Sequence, residues 1–71
     1  MDKEIDRLLA EVTAINNTVL LMNKLANKAQ LEHRPGEASA LRTALMVLLN
    51  HNEKTLEYAK VLAYGMKPEN A

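Results

Sequence analysis

Ile5, Leu8, Val12, Ile15, Val19, Met22, Ala26 and Ala29 follow one another at steps of three and four residues without a slip. That spacing keeps one face of an α-helix apolar for about 40 Å at 1.5 Å per residue, and it predicts a first helix over residues 3–33. Asp2 is placed to cap its start, and Glu4 and Asp6 lie by the positive end of the helix dipole. Asn16, Asn17 and Thr18 are poor helix formers, but the apolar phase runs straight through them, so they read as helix and not as a turn.

His33-Arg34-Pro35-Gly36-Glu37 breaks the pattern. Pro35 drives Arg34 out of α geometry and suits the first turn of a following helix. Beyond this turn, at residues 33–37, Leu41, Leu45, Leu48, Leu49, Asn52, Leu56, Ala59, Leu62 and Ala63 form a second broad stripe, predicting a helix over residues 37–64. Gly65 stands where a helix C-terminus favours glycine, Pro68 follows, and residues 66–71 are expected to fray. So short a connection between long helices makes them antiparallel neighbours. The expected fold is all-α, a single helical-hairpin domain over residues 1–71. A three-helix bundle broken near residues 50–52 is the variant, suggested by Asn50-His51-Asn52.

The hairpin has an uncharged waist. No charge falls in residues 12–23 or 43–52, and a fold centred near residue 34 sets residue n beside residue 68 − n, so the two windows lie level. Within them, Val19-Leu20-Leu21-Met22 and Ala44-Leu45-Met46-Val47-Leu48-Leu49 are apolar all round the helix. A single partner helix covers one face only, and a helix apolar on every side is normally buried on every side. Leu20, Leu21, Met46 and Val47 are therefore the expected protein interface, with Tyr58, Val61 and Tyr64 as a second patch. Ala10, Ala14, Asn17 and Leu21 form a further seam of small residues on the back of the first helix. Alanine's helix propensity explains that seam equally well.

Composition sharpens this reading. A chain of 71 residues supports one small core, which rarely supplies more than about 3–5 kcal/mol by itself. Without cysteine it has neither disulfides nor thiolate metal sites, so association with a second chain is the remaining common support. Phe and Trp are absent and Tyr58 and Tyr64 are the only aromatics, which suits aliphatic helix packing. Nine basic and nine acidic residues cancel, with five of each sign in residues 1–36 and four of each in 37–71; that argues against general attraction to nucleic acid or anionic membrane. No stretch reaches the ~20 apolar residues of a membrane span, and the charged start lacks a signal-peptide core, so a cytoplasmic location is expected.

Candidate chemistry is sparse. His51 lies beside the apolar waist but has no carboxylate or second histidine one turn away, and His33 sits in the turn. Glu53 and Glu57 are direct i,i+4 neighbours, but Lys54 and Lys60 flank them and the Glu-x-x-His spacing of carboxylate metal bundles is missing. No phosphate loop, zinc-protease, serine-hydrolase or dithiol motif occurs. The expected protein is non-enzymatic and needs no cofactor. It self-associates, as a dimeric four-helix bundle, and acts by binding another protein as a regulator, inhibitor or assembly factor. The alternative is a hairpin binding nucleic acid through Lys24, Lys28, Arg34 and Arg42, although Glu32 and Glu37 lie among these bases and no aromatic is there to stack on nucleotides.

Overall fold

The computed structural model describes residues 3–65. It consists of two antiparallel helices packed on each other, α1 (Lys3–Leu31) and α2 (Pro35–Tyr64). The cap expected of Asp2 and the fraying expected of residues 66–71 lie outside the described residues. α1 stops two residues short of the boundary expected, and α2 begins at Pro35, two residues early, because proline itself takes the first helical position. Both helices are continuous: Asn16, Asn17 and Thr18 are helical, and so are Asn50, His51 and Asn52. The three-helix variant is thereby corrected.

All eight apolar residues of the α1 stripe are buried or half-buried. The matching α2 seam is Ala38, Leu41, Leu45, Leu48, Asn52, Thr55, Ala59 and Leu62. This narrows the stripe expected for α2. Leu49, Leu56 and Ala63 are exposed on its flank, while Ala38 and Thr55 join the interface. A strict alternation of three- and four-residue steps meets a single partner helix. The positions next to it are turned roughly a quarter-turn away.

The turn owes its shape to more than Pro35. His33 adopts φ +58, Arg34 N–H donates to Ala29 O (2.8 Å) and His33 N–H to Gln30 O (3.2 Å). These are the two bonds of a Schellman motif, which ends α1 by satisfying its last carbonyls. Arg34 then caps α2 without a side-chain bond, and its guanidinium bridges Glu32 and Glu37 across the turn. At the far end Gly65 closes α2 in the left-handed conformation, at the position the sequence marks for it.

The molecule is a slab one helix thick, with Cα extents of 49 × 25 × 10 Å. Its radius of gyration is 16.0 Å, where a compact chain of this length has about 11 Å. Ala26, Ala29, Ala38 and Ala59 let the backbones approach toward the two ends of the seam. No large side chain is fully buried among the described residues.

Candidate functional site

At mid-seam the only buried polar residue among the described ones is Asn52, 4% exposed. Its Nδ2 donates to the backbone carbonyl of Val12 (3.1 Å) and to Asn16 Oδ1 (2.8 Å), while its Oδ1 is buried without a partner. Asn16 and Asn52 face each other in the register expected, their numbers summing to 68. The polar cluster legible at this level is therefore a cross-helix clasp. The residue in its centre is Asn52, whereas neighbouring His51 is exposed.

Three sets of contacts identify one broad face of the slab. Arg42 donates to Gln30 Oε1 (2.7 Å) and Asn27 Oδ1 (3.3 Å) near the turn. Asn16 meets Asn52 at the middle. Toward the open end a recess of about 220 Å³ is lined by Ile5, Leu9, Leu56, Ala59, Ala63 and Tyr64, together with Lys60. Residues seven apart share a row along a helix. Leu20 thus stands in the row of Asn27, Met46 in the row of Lys60, and Leu49 in the row shared by Arg42 and Leu56. Leu9, Leu20, Met46, Leu49 and Leu56 therefore belong to this first face.

Leu21 and Val47 do not. At 100° per residue, Leu20 and Leu21 stand about 130° to either side of the seam residues Val19 and Met22, and Met46 and Val47 are related in the same way to Leu45 and Leu48. The second face carries Leu21 and Leu25 from α1 and Val47, Tyr58 and Val61 from α2. All of these are exposed except Val61, which is half-buried. Both candidate patches are divided by the fold: the belt splits between opposite faces, and Tyr64 lines the recess of the first face while Tyr58 and Val61 lie on the second. A consecutive run in sequence cannot stay on one side of a helix. The pairs that do stay together, Leu9 with Leu20 eleven residues on and Leu49 with Leu56 seven residues on, carried no signal beyond their spacing. Ala10, Ala14 and Asn17 are exposed on the back of α1, as is Leu21.

The basic cluster is also dispersed. Arg34 is neutralised by two carboxylates and Arg42 is engaged with two side-chain amides. Lys28 shares the row of Leu21, so it lies across the slab from Arg42. Lys24 stands in the outer row of α1, away from the seam. Glu53 and Glu57 are exposed and make no ion pair with Lys54 or Lys60 among the described residues. No group of three side chains able to hold a metal ion occurs among the described residues, and no helix is long and apolar enough to cross a membrane. Comparison with protein families, with curated proteins and with solved structures finds no match to this chain.

Proposed function

We propose that this protein is a self-associating, non-enzymatic helical interaction module that acts by binding another protein. One observation carries the reading: Leu20, Leu21, Met46 and Val47, at the waist of the hairpin, are each more than half exposed. Fully burying such a side chain contributes about 1.5–3 kcal/mol, so covering the remaining surface of four would contribute roughly 4–7 kcal/mol. That is of the order of the entire stability of a small domain. The two-sided placement adds a functional consequence. A slab with apolar residues on both broad faces has one surface for a copy of itself and another for a different protein. Its action is assembly or occlusion, as in an accessory regulator, inhibitor or assembly factor.

Sedimentation equilibrium across micromolar concentrations tests the first half of this reading. The natural chain is expected to sediment at twice its monomer mass or more. A helical monomer throughout that range would remove self-association. The nucleic-acid alternative is weaker because its four bases do not gather on one surface. Binding to RNA at low salt that weakens log-linearly as salt rises would revive it.

A further inference from the structure

We propose that the face carrying Leu9, Leu20, Met46, Leu49 and Leu56 is the homodimer interface. Its twofold axis runs parallel to the helices, so that both turns lie at the same end and α1 of one copy covers α2 of the other. This rests on the self-association argued above and names its surface and geometry. The area is sufficient. The chain exposes 5565 Å², where a compact monomer of 7.9 kDa exposes about 4400 Å². The difference, about 1200 Å², is shared by the two broad faces, and one face with Cα extents of 49 × 25 Å spans more than the ~800 Å² that each partner buries in a standard interface.

Charge selects the geometry. The first face has an acid at one edge and a base at the other. Asp6 shares the row of Leu20 on α1, Lys60 shares the row of Met46 on α2, and neither makes an ion pair among the described residues. Lys60 lines the same recess as Ile5 and Leu9, which flank Asp6 in sequence closely enough to set Asp6 and Lys60 at one height. Rotation about an axis parallel to the helices lays each Asp6 against the partner's Lys60, twice per dimer. The same rotation stacks Leu9 on the partner's Leu56, and Leu20 on the partner's Met46 and Leu49. The alternative axis, perpendicular to the helices, lays α2 on α2 and brings Glu53, near mid-height in the row of Met46, against its own copy. Like charges facing across an interface disfavour that arrangement. The parallel axis sets Arg42 near its own copy, but each Arg42 is already held by Gln30 and Asn27. The second face stays outside, with Leu21, Val47 and Tyr58 free for a different partner.

Paired variants test the face, and the natural chain is the control. Leu20→Glu with Met46→Glu changes only side chains that are mostly exposed in the hairpin. It is expected to raise the dimer dissociation constant at least about a hundredfold, read by sedimentation. If the separated chain cannot stay helical, lost ellipticity at the same concentration reads the same outcome. Leu21→Glu with Val47→Glu is expected to leave the dimer intact. Dissociation by the second pair and not the first assigns the interface to the wrong face and overturns the proposal, while self-association itself stands. A natural chain that never dimerises would sink both. For the axis, Asp6→Lys and Lys60→Asp are each expected to weaken the dimer several-fold, and their combination to restore it. Loss without rescue overturns the pairing. Glu53→Cys is expected not to link to its own copy under oxidation, since a disulfide needs Cα atoms within about 7 Å. Rapid covalent dimerisation through Cys at that position overturns the parallel axis.

Discussion

His33 and Gly65 occupy the same backbone state at the ends of the two helices, φ +58 and φ +60. Only one of them is the residue that state favours. A left-handed conformation costs an L-residue about 1–2 kcal/mol, because Cβ crowds the following carbonyl, and glycine escapes that cost at some expense in unfolded-chain entropy. His33→Gly is therefore expected to stabilise the hairpin by about 0.5–1 kcal/mol, measured by urea unfolding. Gly65→Ala is expected to cost about 1 kcal/mol. A Cβ at Gly65 meets nothing within 4 Å, so that cost is purely backbone. Arg34, by contrast, pairs with two half-exposed carboxylates and contributes little. Arg34→Ala is expected to change stability by less than ~1 kcal/mol.

Between the two helices, the seam joins two aliphatic stretches across a single polar clasp. Asn52 gives the pair a register, since sliding by one turn would leave its amide without Val12 O and Asn16. It adds little stability, because Oδ1 remains buried and unpaired. Asn52→Leu is expected to be neutral or stabilising by up to ~2 kcal/mol, at the expense of a unique alignment. Asn52→Asp is the sharper experiment. A carboxylate has no proton to offer Val12 O or Asn16 Oδ1, and burial raises its pKa in the folded state. The protonated acid recovers one donor, enough for either Val12 O or Asn16 Oδ1. The folded state of this variant thus binds a proton more tightly than the unfolded state. Its stability is then fully present below the carboxylate's ordinary range and is lost as pH rises through the raised value. At neutral pH the loss is expected to be roughly 2 kcal/mol or more, read as a fall in melting temperature from pH 4 to pH 7 that the natural chain does not share. Equal pH dependence in the two would show that Asn52 is not held in the clasp.

Taken whole, the molecule is a plate, not a ball. Two helices form one interface, and a plate one helix thick leaves both broad sides in water. On the proposal that this plate self-associates, folding and association are coupled. If the dimer is the stable form, the melting temperature of the natural chain should rise by more than about 5 °C between ~1 and ~100 µM, because mass action favours the associated state. A melting temperature independent of concentration would mean that the hairpin stands without a companion.

Periodicity alone determined the two helices, the turn between them, the left-handed Gly65 and the level at which Asn16 meets Asn52. Each follows from local geometry, in which spacing along the chain fixes direction around a helix. The α1 stripe was legible residue by residue for that reason. Other features depended on where the second helix lies. The tertiary structure decided that Ala38 and Thr55 join the seam while Leu49 and Leu56 face outward. It decided that Arg42 turns to Gln30 and Asn27, and that the belt divides into two opposed faces. A sequence states how apolar a position is, but a side chain's surroundings come from a partner 36 to 40 residues away, as Asn52 shows with Asn16 and Val12.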